Sequence, residues 1–432
     1  MPPSSPTQPL LGGTRPTYSA TPEPTLSTDP SDSVAAATHK KGTSIETFFH
    51  IVCITAGTGI LQLPYALKEG GWIGALYIVL AGMISSYTGN MLIRCLYCKQ
   101  GTRLQSYSDV VEAALGRRGK QIVRALKDFN LLGVVGIYIV LAGVNISALL
   151  ANSTAGVQNV QLWIAAAAML VWLVVVLARE IHDVFILSVF GTLTTVVTVV
   201  IIVWVGICDA ARQKEMPPTK LVDAKMLPIS LASICFSFGG NLNWPDLEAS
   251  MESPKLWSRT LSVATAFIAF IYLCVAVIGY GTYGDHVMSP ILLSLPQGLS
   301  VVTANVMITA HVLLACPILL TAVFIEAERD LGIGAAHHSP YAERIYRALF
   351  RTVMMAAVAL CALFVSDFAK FVPILGAVAA SMVVFVIPVV CYIILYREQR
   401  TFTLWEYAWC ALIVCVGLMC LVIGTSEAIG NL

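Results

Sequence analysis

The stretch that decides the fold reads Gly57-Thr-Gly-Ile-Leu-Gln-Leu-Pro-Tyr-Ala-Leu-Lys-Glu-Gly-Gly-Trp-Ile-Gly74 and lies in an apolar segment. A later apolar segment carries a similar interruption, in Phe236-Ser-Phe-Gly-Gly-Asn-Leu-Asn-Trp-Pro-Asp-Leu-Glu-Ala-Ser-Met251. In both, a proline follows the second glycine by five residues, at Pro64 and at Pro245. Glycine lets a helix unwind, and a bilayer tolerates unwound backbone only where it is packed in protein or lines a cavity. The pattern therefore predicts two interrupted membrane helices.

The composition of the whole chain supports a membrane location. Of the 432 residues, 57% are hydrophobic and 12% are charged, whereas a soluble domain carries about 25% charged residues. No soluble core can bury this much apolar side chain, so the excess must face lipid. The net charge of +1 gives no indication of nucleic-acid binding. We therefore predict an all-α membrane protein.

Apolar segments long enough to cross a bilayer, about 20 residues each, recur along most of the chain. The sequence predicts eleven transmembrane helices, near residues 44–67, 72–97, 125–150, 160–178, 184–208, 228–250, 259–283, 298–325, 345–365, 370–396 and 404–425. With a cytosolic N-terminus, most of the 26 lysines and arginines fall in cytosolic loops, as the positive-inside rule expects. Residues 1–42 are rich in proline, serine and threonine and are predicted to be a disordered cytosolic tail.

The two interruptions occupy matching positions in two halves of the membrane domain, which spans 43–425. The first opens the five spans of residues 43–208, the second opens those of 228–396, and the helix at 404–425 is extra. Matched glycine-interrupted segments mark the binding site in transporters built from repeats. The N–H groups at such a break suit a carboxylate and the carbonyls suit an ammonium, so an amino acid fits both. Close packing of helices through glycine is the alternative interpretation.

With these two segments, and with Gly279-Tyr-Gly-Thr-Tyr-Gly284, the chain resembles the amino acid/auxin permease family over residues 43–425. The resemblance implies a LeuT-type 5+5 inverted repeat in which helices 1 and 6 are broken. It also implies transport of amino acids, small or neutral ones by default, driven more often by protons than by sodium.

The resemblance implies a substrate site at the two breaks. The matching residues are Gly57, Thr58, Gly59 and Ile60 in the first break, and Phe238, Gly239, Gly240 and Asn241 in the second. Proton-coupled members of the family commonly carry a histidine at the position of His50, seven residues before the first of these glycines. Sodium-coupled members carry an asparagine where this chain has Cys53, so the resemblance favours protons.

Several other side chains in the predicted spans are candidates for function. His50 lies two helical turns before Gly57, and histidine changes charge near neutral pH, so we expect it to couple protons; an interfacial histidine is the alternative. His311, in the eighth span, is a candidate for proton relay, substrate binding or a hydrogen bond between helices. Tyr138, in the third span, is a candidate aromatic cover for the site or a packing residue. Glu248, after the second break, is a candidate for a gate or a structural ion pair.

The sequence favours a secondary transporter over two other classes of protein. A nutrient sensor that binds an amino acid without moving it is the alternative, although the tail is short for signalling. An enzyme is not expected, because the spans contain no nucleophile–base pair, no metal-ligand set, no cofactor motif and no phosphate loop. A vacuolar, lysosomal or vesicle membrane is expected, with the plasma membrane as the alternative. A glycosylation sequon at Asn152 falls in a predicted non-cytosolic loop.

Overall fold

The computed structural model describes residues 42–98, 102–150, 159–177, 184–333 and 339–430. Within these ranges the regular structure is mainly helical, and an isolated β-bridge pairs Gly42 with Met251. The predicted tail, except for its last residue, and the sequon at Asn152 lie outside the described residues.

Helices follow one another with short connections. They are α1 (Ser44–Thr55), α2 (Leu63–Gly70), α3 (Ile73–Leu96), α4 (Tyr107–Leu150), α5 (Val160–Leu177), α6 (Val184–Ala210), α7 (Leu227–Ser237), α8 (Trp244–Ser250), α9 (Trp257–Tyr283), α10 (Leu299–Asp330), α11 (Pro340–Phe364), α12 (Phe368–Leu375), α13 (Ile387–Tyr396), α14 (Leu404–Met419) and α15 (Thr425–Gly430). A π-helical stretch, Gly376–Val386, joins α12 to α13. Another, Cys420–Gly424, joins α14 to α15.

In the described residues, nine helices are long and apolar enough to cross a membrane, and a tenth arises if the bent pair of Ser44–Thr55 and Thr58–Gly70 is one span. The two parts of that pair meet at an angle of 43°. The sequence predicts a further span, the sixth of eleven, over 228–250. The structure has the separate short helices α7 and α8 there. Neither is long enough to span a bilayer alone.

The helices differ in how much of their surface the protein covers. In the segment Phe368–Tyr396, 67% of the most apolar window is buried, against 22% in α11 and 28% in α5. A helix that is apolar all round and poorly covered faces lipid. The segment containing α12 and α13 therefore lies near the centre of the bundle, and α5 and α11 lie at its edge.

A buried ion cluster joins α10 to α11. Glu328 accepts a hydrogen bond from Arg351 Nε at 2.8 Å and lies 3.2 Å from Arg347 Nε. Arg351 also donates to the carbonyl oxygen of Val175, at the end of α5, at 2.9 Å. The Glu328 and Arg351 side chains are both 6% exposed. Because buried charges are costly unless paired, this cluster fixes the ends of α10 and α5 against the middle of α11.

Replacing Glu328 with alanine should strongly destabilise the protein, because Arg351 and Arg347 then lose the buried carboxylate that lies against both of them. Breaking such a pair costs about 3–5 kcal/mol, and thermal unfolding in detergent will measure the loss as a lower Tm. Glu398→Ala is the matched control, since Glu398 pairs with Arg397 at 3.8 Å on the open surface, where pairs contribute little. Equal melting temperatures for the two variants would contradict a structural role for the cluster.

Candidate functional site

Both glycine-containing segments interrupt their helices in the structure. α1 ends at Thr55, and a 3-10 turn, Thr58–Gln62, begins after Gly57 and leads into α2. α7 ends at Ser237, and a second 3-10 turn, Asn241–Asn243, leads into α8. In each case the prolines Pro64 and Pro245 lie in the first turn of the helix that follows, where a missing N–H costs nothing.

The two interruptions contact each other through glycine. A Cβ atom on Gly59 would lie 2.7 Å from Ser237 Oγ and 2.8 Å from its Cα, and one on Gly240 would lie 2.8 Å from Thr55 Oγ1. Real Cβ atoms do not come so near another heavy atom. Glycine at these positions therefore allows each break to press against the last residue of the opposite helix.

Tyr272, in α9, connects the two helix ends. Its hydroxyl oxygen lies 2.7 Å from the carbonyl oxygen of Thr55 and 2.7 Å from that of Ser237. These are the last residues of α1 and α7, where carbonyls lack a partner within their own helix. A hydroxyl has one hydrogen to donate, so it satisfies one carbonyl at a time. The other carbonyl oxygen stays available to another donor.

A small cavity of about 50 Å³ lies beside this junction. It is lined by Ile54, Thr55, Gly57, Thr58, Gly59, Asn130, Val134, Tyr138, Phe236, Ser237 and Gly239. Sites for small molecules typically measure about 300–1,000 Å³. A ligand larger than a few waters therefore enters only if α1, α4 and α7 move apart.

The cavity has polar groups without protein partners. The hydroxyl oxygens of Thr55 and Thr58 are buried and, in the part of the chain that the structure describes, have no hydrogen-bond partner. Burying a hydroxyl without a partner is unfavourable. The N–H groups of Thr58 and Gly59 open a helical turn, where the first N–H groups have no partner in their own helix. Thr55, Thr58 and Gly59 all line the cavity, and this combination suits a small polar ligand.

Of the residues that the sequence predicts for substrate binding, Gly57, Thr58, Gly59, Gly239 and Tyr138 line the cavity, and the others do not. Ile60, Phe238 and Gly240 are buried in the packing around it. The ring of Phe238 contacts that of Tyr272, with centroids 5.1 Å apart.

Asn241 has structural hydrogen bonds instead of facing the cavity. Its amide nitrogen donates to Thr88 Oγ1 and to the carbonyl oxygen of Val384, each at 3.3 Å. Its side-chain oxygen accepts a hydrogen bond from Trp244 Nε1 at 2.8 Å. Asn241 therefore fastens the second break to α3 and to the π-helical stretch.

The two candidate histidines lie on helices next to the cavity but do not line it. His50 is half-buried on α1. His311 is 4% exposed, on α10. A Cβ atom on Gly191, in α6, would lie 2.7 Å from His311 Nδ1 and 2.8 Å from Cys53 Sγ. His311 thus lies at the junction of α1, α6 and α10.

Some residues that line the cavity were not predicted, although their spacing in the sequence indicates them. Asn130, Val134 and Tyr138 follow one another at intervals of four on α4, and this spacing places them on one helix face. Starting from Tyr138, the periodicity indicates the other two. No such spacing indicates Thr55 and Ser237, or the tyrosine between them, Tyr272. Their contacts depend on how the helices are rotated.

A second polar network lies just beyond the second break. Glu248, near the end of α8, is 1% exposed and accepts hydrogen bonds from Tyr97 Oη at 2.5 Å and from Arg103 Nε at 3.0 Å. Arg103 also donates to the carbonyl oxygen of Pro245 at 2.7 Å. Burial and the hydrogen bond to Glu248 raise the pKa of Tyr97, so it remains a donor at neutral pH. Glu248 is therefore in an ion pair that holds α8 to the α3–α4 connection.

Removing the hydroxyl of Tyr272 should weaken the junction of α1 and α7. In Tyr272→Phe the carbonyls of Thr55 and Ser237 lose their shared donor while they remain buried, which costs about 1–3 kcal/mol. The measurement is thermal unfolding in detergent, with Tyr341→Phe as control because Tyr341 is 77% exposed. An unchanged Tm in Tyr272→Phe would show that the hydroxyl does not hold the helices together.

The fold is shared with solved membrane transporters. The chain superposes on a manganese transporter from Eremococcus coleocola with a TM-score of 0.56 and 12% identity, covering 90% of this chain and 87% of that one. A Na⁺-coupled sialic acid symporter matches with a TM-score of 0.52 and 13% identity, over 90% of each chain. MhsT in complex with L-phenylalanine gives 0.52 and 11%, over 89% of this chain and 99% of that one. These transporters have the LeuT fold, so this chain has it too.

Relatives with named functions are similar over most of their length. Amino acid transporter AVT1B of Arabidopsis thaliana is 27% identical over 421 residues, which are 94% of this chain and 75% of the relative. Amino acid transporter AVT1E of the same plant is 26% identical over 93% of this chain and 76% of the relative. The family model described as transmembrane amino acid transporter protein matches residues 40–430. This chain therefore belongs to the transmembrane amino acid transporter family, and is a membrane transporter and not an enzyme.

Proposed function

We propose that this chain is a secondary active transporter that moves neutral amino acids together with protons. One observation carries the proposal: the ends of α1 and α7 meet at the hydroxyl of Tyr272, beside a cavity in which buried polar groups lack partners. Its relatives AVT1B and AVT1E are named as amino acid transporters, which supports an amino acid as substrate.

In this proposal the membrane domain has eleven spans, in two inverted repeats of five and one extra helix. The first span combines α1 with α2, and the sixth combines α7 with α8, which together cover the roughly 20 residues that a span needs. With the N-terminus in the cytosol, α8 and its ion pair lie on the cytosolic side of the cavity. The shared LeuT fold supports this arrangement.

The substrate's carboxylate would bind at the N–H groups of Thr58 and Gly59, where the start of a helix favours negative charge. The ammonium group would bind near the carbonyl oxygens of Thr55 and Ser237, of which Tyr272 satisfies only one at a time. Tyr138 and Asn130 contribute from α4. Because the cavity is about 50 Å³, binding requires the helices to separate, as expected for a site that opens alternately to the two sides.

Proton coupling would act through α1. His50 belongs to this helix, and His311 lies near its Cys53. A charge on His311 in so buried a place is unfavourable unless water or a partner reaches it, so protonation would favour an arrangement in which α1, α6 and α10 separate. A vacuolar, lysosomal or vesicle membrane, whose lumen supplies protons, suits this chemistry, and the plasma membrane is the alternative.

Uptake of radiolabelled neutral amino acids into liposomes, under an imposed pH gradient or an imposed sodium gradient, tests the proposal. We expect the pH gradient to drive uptake. His50→Ala and His311→Ala should each abolish that drive, whereas His286→Ala, an exposed histidine outside the long helices, should not. Uptake driven by sodium alone would contradict proton coupling but would still show that the chain is a transporter. Binding without flux under either gradient would instead indicate a sensor.

A side chain added at Gly59 should abolish uptake. In Gly59→Ala the new methyl group would collide with the Cα of Ser237 and separate the two breaks. Gly298→Ala is the control, because a Cβ there meets nothing within 4 Å and starts no steric conflict before α10. If Gly59→Ala transports as well as Gly298→Ala, the two breaks need not touch for transport.

A further inference from the structure

An apolar groove runs between α1 and α9, away from the residues that line the cavity at the breaks. Its volume is about 490 Å³. Ile45, Phe48 and Phe49 line it from α1, and Arg259 and Val263 line it from α9. Leu256 lines it from the 3-10 turn that precedes α9. Between Leu256 and Val263 the groove follows two turns of helix, about 10 Å.

The groove opens toward the surroundings of the protein. Ile45 is 69% exposed, Val263 is 54% exposed and Leu256 is 46% exposed. In a chain whose fold is that of a membrane transporter, apolar side chains on the outer surface of a long helix face lipid. An apolar chain can therefore enter the groove from the bilayer.

The lining of the groove includes one charged side chain, that of Arg259 in the first turn of α9. Arg259 is the third residue of α9, near Ser44 at the start of α1. It therefore lies at the membrane surface. In the part of the chain that the structure describes, Arg259 is exposed and takes part in no ion pair. Lys255, one turn earlier, is exposed as well. A positive group in the lining of an apolar groove complements an anionic amphiphile.

We propose that this groove binds an anionic phospholipid of the surrounding membrane, with one acyl chain between α1 and α9 and the phosphate at Arg259. The apolar lining fits the chain, and the guanidinium fits phosphate as a fork of parallel donors. Lys255 adds positive charge one turn before Arg259.

Lipid at this position would brace α1 against α9. α1 carries Thr55 and α9 carries Tyr272, so the two helices that enclose the groove are the two joined at the first break. A bound lipid would hold α1 in the arrangement seen here and oppose its separation. This consequence rests on the proposed function, whereas lipid binding itself does not and is measured without transport.

The test uses the purified full chain in detergent, titrated with phosphatidylglycerol or with phosphatidylcholine while its thermal unfolding is followed. Native mass spectrometry counts the bound lipids. We expect phosphatidylglycerol to raise the Tm of the wild type at lower concentration than phosphatidylcholine does. In Arg259→Gln the phosphatidylglycerol concentration that gives half of the shift should rise about fivefold, as expected for one cation near a lipid surface.

Two further variants separate the groove from its charge. Val263→Trp fills the groove and keeps Arg259, and it should also lose the preference for phosphatidylglycerol. Arg117→Gln is the matched control, because Arg117 is an exposed arginine on α4, a helix that contributes no residue to the groove, and it should bind as the wild type does. Inorganic phosphate alone should give no shift.

Three results would overturn the proposal. A phosphatidylglycerol shift that survives in both Arg259→Gln and Val263→Trp would place the lipid elsewhere. A shift lost equally in Arg117→Gln would indicate general surface charge. A shift reproduced by inorganic phosphate would indicate a free anion as ligand instead of a membrane lipid.

Discussion

The hydroxyl of Tyr272, 2.7 Å from the carbonyl oxygens of both Thr55 and Ser237, holds together two helix ends that would otherwise repel each other. Each helix ends with carbonyl dipoles that point the same way, and their partial negative charges face one another across the junction. In a bilayer no water relieves this repulsion. A single shared hydrogen is a weak link between two acceptors, and that weakness suits a junction that must open.

The packing around the junction tolerates much less change in geometry than the hydrogen bond at its centre does. Gly59 and Gly240 bring each break within van der Waals contact of the opposite helix, and Asn241 attaches the second break to α3 and to the π-helical stretch. On the far side of α8, Glu248 is buried with Arg103 and Tyr97. Contacts on several sides therefore fix the two 3-10 turns, so that movement at the junction is a rigid-body movement of α1 and α7.

The long apolar helices could be predicted from the sequence because they depend on local runs of apolar residues, although nine or ten of the described helices can span a membrane where the sequence predicts eleven. Gly57, Thr58 and Gly59 of the first motif line the cavity, and substrate binding by them stays a prediction. Asn241 shows the limit: it lies in the second motif, but its amide faces Thr88 and Val384. Which side of a turn faces a cavity depends on the rotation of neighbouring helices, which no local pattern encodes. Tyr272 was missed for the same reason, since nothing in α9 distinguishes it from a packing tyrosine.

The bridge between Gly42 and the end of α8 has a mechanical consequence. Gly42 donates its N–H to the carbonyl oxygen of Ser250 at 2.9 Å, and its own carbonyl oxygen accepts a hydrogen bond from Glu252 at 2.9 Å. Gly42 also directly precedes Thr43, the capping residue of α1. Gly42 is thus tied to α8 by hydrogen bonds and to α1 by the chain itself. A pull on Gly42 from its N-terminal side would therefore be shared between α1 and α8.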